Sequence, residues 1–198
     1  MNYLAHAFLS FNKPDILTGN IISDFVKGKA KFNFPDQIQK GISLHRSIDE
    51  FTDNHSVTSK AKSFFRPAYR LYSGAFTDVV YDHFLARDDK QFAEYKGLEN
   101  FARDVYHSLE KEYSLFPPRF QKIFPYMKSQ NWLYGYRFRE GIQKSFQGLA
   151  FRAAYLNESA IAFDIFNQYY SEFENCYEEF FPVLKQFASY TLSNLLAE

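Results

Sequence analysis

Histidine and aspartate are concentrated in the first half of this chain. Four of its five histidines precede residue 90, in company with Asp24, Asp49, Asp53, Asp78 and Asp82. In the stretch L-H-R-S-I-D, His45 and Asp49 stand four residues apart, so on a helix both side chains leave the same face, and Asp53 extends that stripe by a turn. The segment D-V-V-Y-D-H repeats the spacing with Asp78 and Asp82, and His83 follows directly. Around both clusters the chain is apolar: Ile42, Leu44 and Ile48 in one, Phe76, Val79, Val80, Phe84 and Leu85 in the other. Ionised carboxylates enclosed among such residues must be paired, hydrogen-bonded or bound to metal. Imidazole and carboxylate together suit Mn²⁺, Fe²⁺ or Mg²⁺, and no pair of cysteines competes for a metal. The same spacing also fits His45 and His83 as hydrogen-bonded core histidines, with Asp49, Asp53 and Asp78 capping helices or pairing with Arg46, Arg66 or Arg70. Asp24, within G-N-I-I-S-D-F-V-K-G, reads either as a metal bridge or as a hydrogen-bonding group at a helix end. His6 sits on an aromatic stripe, His55 in a loop and His107 on a charged amphipathic helix.

The elements that must position these groups are helical. Apolar residues recur at helical spacing almost throughout, and no set of alternating runs with hairpin turns interrupts them, which predicts an all-α fold. Helices are expected over about 3–10, 14–27, 35–52, 57–72, 74–86, 90–113, 118–128, 138–156 and 159–195, the last broken near Pro182. Pro67 should kink or divide the fourth, and Pro117-Pro118 is the clearest stop. With 198 residues and no flexible Gly/Ser linker, one helical domain over 1–198 is expected, its chemistry in 1–86 and the helices of 118–198 completing the bundle.

Charge and composition narrow the partners. The net formal charge is zero, yet acid-free basic runs occur at Lys27, Lys29 and Lys31, at Lys60, Lys62, Arg66 and Arg70, and from Arg119 to Arg139, whereas the last forty residues are acidic. An anionic partner is expected, and nucleic acid is disfavoured by the neutral total and the acidic end. The opening residues lack a basic leader and no later segment reaches membrane-spanning length, so with its lone Cys176 the protein is expected in the cytoplasm. Oligomeric state is not encoded in any motif.

Four segments in order, M-N-Y-L-A-H, G-N-I-I-S-D-F-V-K-G, G-I-S-L-H-R-S-I-D-E-F-T-D-N-H and D-V-V-Y-D-H-F-L, resemble the acyl carrier protein phosphodiesterase family over residues 1–86. The resemblance implies a divergent HD-type metal phosphohydrolase that releases 4′-phosphopantetheine from holo-acyl carrier protein with Mn²⁺. It carries the catalytic and metal positions onto Asp24, His45, Asp82 and His83, and adds His6, Asp49 and Asp78 as ligands or their supports. His45 or His83 would protonate the leaving serine oxygen. Lys27, Arg46, Lys60, Arg66 and Arg70 would meet the phosphate or the acidic carrier. Asp82-His83 reverses the usual HD order. Two alternatives stand beside this reading: an HD-like phosphohydrolase of nucleotides or other small phosphoesters, and a non-catalytic helical module that binds an acidic protein.

Overall fold

A computed structural model describes residues 1–93, 96–152 and 159–197. Among these the chain is all-α, with no strand. The helices are α1 (Tyr3–Phe8), α2 (Pro14–Ile22), α3 (Asp36–Asn54), α4 (Ser56–Tyr69), α5 (Ser73–Arg87), α6 (Gly97–Lys111), α7 (Pro118–Ser129), α8 (Trp132–Gly135), α9 (Arg139–Arg152), α10 (Ala160–Gln168) and α11 (Tyr170–Ala197).

The apolar core is contiguous and draws on both sides of Pro117-Pro118, from Met1 to Leu192. Rings fill much of it. Phe65, Phe76, Phe146 and Phe173 form one interlocked group, with centroids 5.1–6.0 Å apart. Such tilted, stacked and edge-on pairs stabilise beyond the area each ring buries. α5 lies at the centre: Phe76, Val79, Val80, Tyr81, Phe84 and Leu85 are all buried, so it must be covered on every side.

α2 and α3 form the most extensive helix pair. Their crossing depends on two glycines. A Cβ on Gly19 would come within 2.1 Å of the Ile38 carbonyl oxygen, and one on Gly41 within 2.4 Å of the Ile16 carbonyl oxygen. The missing side chains let the two backbones touch, which brings the end of α2 within hydrogen-bond reach of the middle of α3.

α1 has only six residues and cannot hold itself. Its free amides are met from outside. Asn2 accepts from the Tyr3 amide at 3.0 Å, and Asp82 of α5 accepts from Leu4 at 2.7 Å and Ala5 at 3.2 Å.

Several expected boundaries move. α4 runs undivided through Pro67, which falls in its last turn, and stops at Arg70, where φ is +44°. α11 continues through Pro182, and the break expected there lies instead at Tyr169, between α10 and α11. Pro182 forfeits one backbone bond, but Phe173, Cys176, Tyr177, Phe180, Phe181 and Leu184 are buried on both sides of it and hold the helix together. The helix expected from residue 90 begins at Gly97, and α8 is an element the periodicity did not reveal because it is one turn long. Residues 94–95 and 153–156 of the expected helices, and Glu158 and Glu198 of the acidic end, lie outside the described residues.

Candidate functional site

The side chains that meet come from α1, the end of α2 and α3. His6 and His45 stack face to face, centroids 3.8 Å apart and planes 13° off parallel. Both are oriented by Asn20. The Asn20 amide nitrogen donates to the His6 carbonyl at 2.9 Å and to Ser10 Oγ at 3.1 Å, which turns its Oδ1 toward His6 Nδ1 at 2.8 Å. The Asn20 backbone carbonyl lies 2.6 Å from His45 Nδ1. Both partners of the rings are acceptors, so each Nδ1 carries a hydrogen, and in the neutral imidazole Nε2 offers a lone pair.

Those two Nε2 atoms face carboxylates. His6 Nε2 lies 3.2 Å from Asp49 Oδ1; His45 Nε2 lies 3.1 Å from Asp49 Oδ2 and 3.2 Å from Asp24 Oδ1. One donor atom from each of His6, His45 and Asp49 falls within 4.8 Å of the others. Asp24 enters from the turn after α2 and is 69% exposed, which marks the open side of the cluster. Arg46 donates to the Val26 carbonyl at 2.9 Å and so pins the segment that carries Asp24.

Electrostatics separates the two imidazoles. Burial, reinforced by neighbouring His45, pushes His6 down to about 4, so it is neutral across the physiological range. Burial also opposes charge on His45, but Asp24 and Asp49 prevail and raise it to about 9. Asp24 is lowered chiefly by its hydrogen bond to His45. For Asp49 burial favours the neutral acid, and the Met1 ammonium together with His45 outweighs it and holds the carboxyl far below its ordinary range. The Met1 α-amino group is itself enclosed, 3.1 Å from Asp49 Oδ1 and 3.1 Å from Asp78 Oδ1. Against the cost of burial, Asp78 and Asp49 raise it to about 11.

His6 Nε2 is the atom that decides what the cluster suits. It is buried, bears a lone pair, has no hydrogen-bond donor, and faces an ionised carboxylate whose oxygens are also acceptors. Two lone pairs aimed at one point call for a cation between them. The proton on His45 meets that need on one side only. Histidines whose far nitrogen donates to a fixed carbonyl, beside carboxylates, are the donor set of a divalent metal centre. The residues present therefore fit such an ion.

Other expected site residues are placed elsewhere. Asp82 is fully buried beneath α1, where its carboxylate caps the Leu4 and Ala5 amides, and burial raises it to about 7. His83 leaves α5 in another direction: Nδ1 donates to the Tyr136 carbonyl at 2.7 Å and Nε2 lies 3.0 Å from the Tyr170 hydroxyl. The two adjacent side chains are thus claimed by different partners, and in this arrangement neither joins the group of His6, His45 and Asp49. Asp78 stands one contact away, against the Met1 amine, and Asp53 pairs with Lys62 at 2.6 Å. Arg66, Arg70 and Lys62 line a hollow of about 680 Å³ whose wall includes Asp53 and Asp78, while Lys27 is exposed. Lys60, also exposed, does not line that hollow. Asn20 was missed from sequence. Its signal was its place beside Gly19, where the backbones of α2 and α3 come into contact.

Fold and site together define an all-α protein built around a buried His/Asp cluster fit for a divalent cation. A family model described as acyl carrier protein phosphodiesterase matches residues 1–184, and the chain belongs to that family. Relatives named acyl carrier protein phosphodiesterase include those of Enterobacter sp. strain 638, 33% identical over 92% of this chain and 94% of the relative, and of Yersinia pestis, 32% identical over 96% and 98%. The relative from Escherichia coli O139:H28 is 32% identical over 96% of this chain and 98% of its own. No solved structure matches the chain.

Proposed function

We propose that the protein is a metal-dependent phosphodiesterase that hydrolyses holo-acyl carrier protein to the apo protein and 4′-phosphopantetheine, with Mn²⁺ as the ion best suited to its donors. The observation that carries the metal dependence is the buried, donorless Nε2 of His6 facing Asp49 beside a matching nitrogen of His45. Family membership supports the substrate.

His6 Nε2, His45 Nε2, Asp49 and Asp24 would hold the ion. A divalent metal supplies Lewis acidity toward the attacking water and the phosphodiester oxygens. Asn20 fixes both rings in the tautomer that keeps Nε2 free. Asp24 borders the opening through which a phosphodiester reaches the cluster. In the reaction water attacks phosphorus, the bond from phosphorus to the carrier serine oxygen breaks, and that oxygen takes a proton. The phosphate leaves with the pantetheine arm.

Docking of the carrier falls to the hollow beside Asp78. Lys62, Arg66 and Arg70 line it, and Leu71 at its rim is 99% exposed next to the strained backbone of Arg70. Carrier proteins of this class are acidic helical bundles, so basic side chains around an apolar anchor supply both steering and a contact point. Among the described residues no helix is long and apolar enough to cross a membrane. Together with the single, buried Cys176, that supports a cytoplasmic site of action.

The test is release of 4′-phosphopantetheine from purified holo-carrier protein by wild type and by His45→Gln, each with Mn²⁺ and with chelator. Release only by wild type with Mn²⁺ is expected. Equal release in all four samples contradicts the reading.

A further inference from the structure

A second cavity lies against the other side of the N-terminal residues. It has a volume of about 570 Å³, and its walls are mainly apolar. Val79, Ile123, Trp132, Leu149 and Phe151 supply the apolar surface. Asn2, Gln130, Lys144 and Ser145 are spaced among them as hydrogen-bonding groups. Its inner wall carries the sequence neighbours of two residues that touch the His/Asp cluster or its amine. Val79 follows Asp78, and Asn2 follows Met1, whose amine bridges Asp78 and Asp49. The basic hollow opens on the Asp78 side of this ridge and the apolar cleft on the Val79 side.

We infer that this cleft seats the pantetheine arm that remains esterified to the phosphate, so that the carrier docks on one side of the metal cluster and its arm lies on the other. This rests on the carrier-protein reading above. The chemistry matches: the arm is flexible, has apolar methylene and gem-dimethyl segments, and carries amides and a hydroxyl that need scattered polar partners. Ligand sites of this kind are apolar clefts with a few placed polar groups. Gly148 and Gly135 leave the cleft its width; among the described residues a Cβ on either would meet no atom within 4 Å.

Trp132 is the only tryptophan of the chain and stands in the cleft wall, so its emission reports occupancy directly. Pantetheine, the neutral arm without phosphate, should change Trp132 fluorescence saturably in wild type. Filling the cleft with Gly148→Leu or Gly135→Leu should raise the midpoint about tenfold or more. The same variants should raise KM for holo-carrier protein, while circular dichroism shows wild-type helicity. A flat titration in wild type overturns the inference, whether or not the variants fold. So does an unchanged midpoint in folded variants. The two readings separate cleanly: wild type that binds pantetheine but releases no 4′-phosphopantetheine sinks the phosphodiesterase reading alone, and release with a flat titration sinks the cleft alone.

Discussion

His6 and His45 stack on one another, yet their surroundings drive them to opposite charge states. His6 is neutral because burial and its cationic neighbour exclude a second charge; His45 holds a proton because two carboxylates face it. A metal entering here must displace that proton. His83 titrates apart from this group, and burial lowers it to about 4. The unfolded chain protonates near 6.5 while the folded chain resists, so this contribution is intact above pH 6.5 and is lost as pH falls toward 4. The loss is on the order of 3 kcal/mol. Urea unfolding of wild type and His83→Gln at pH 7 and pH 4.5 checks it: wild type should lose more stability over that interval than the variant. His45 and Asp49 were legible as chemistry from residue type and spacing, whereas His6 and Asp24 were assigned to the site only through the family resemblance. That Asp82 and His83 diverge was not legible, because the hydrogen-bond partners that claim them, Leu4, Ala5, Tyr136 and Tyr170, are distant in sequence.

The elements matter through one contact above others. The Gly19–Gly41 crossing sets how far Asn20 stands from His45, and hence which nitrogen His45 presents. Gly41→Ala would drive a methyl into the Ile16 carbonyl and force the helices apart, at roughly 1–3 kcal/mol. We expect a lower urea midpoint for this variant and weaker Mn²⁺ binding, although residue 41 touches no ligand atom of the cluster. Unchanged metal affinity would separate the crossing from the site. Helical periodicity predicted most elements because their buried faces repeat every three to four residues, as in α3 and α6. It misjudged Pro182 and the one-turn α8, where tertiary packing decides the outcome over local propensity.

At the scale of the whole molecule, residues 1–3 and 78–79 connect three features: Asp78 lines the basic hollow, the Met1 amine touches Asp49 of the His/Asp cluster, and Asn2, Tyr3 and Val79 line the apolar cleft. Sequence reading found the basic residues Arg66 and Arg70 but could not show that they line one hollow with Asp78, since α4 meets α5 there only through the fold. Reversing both charges, Arg66→Glu with Arg70→Glu, should raise KM for holo-carrier protein by about tenfold or more and abolish its dependence on ionic strength. Turnover of bis(p-nitrophenyl) phosphate, which has no carrier to dock, is the comparison. An equal loss on both substrates would remove the docking role from these arginines.

Metal-dependent activity requires His6, His45 and Asp49 to share one divalent ion, with His83 outside it. Equilibrium dialysis of Mn²⁺ against wild type, His6→Gln, His45→Gln and His83→Gln, with unbound ion counted by electron paramagnetic resonance, tests that arrangement directly. Saturable binding in wild type and His83→Gln, with loss in both other variants, is the predicted result; binding that survives in His6→Gln and His45→Gln, or fails only in His83→Gln, contradicts it.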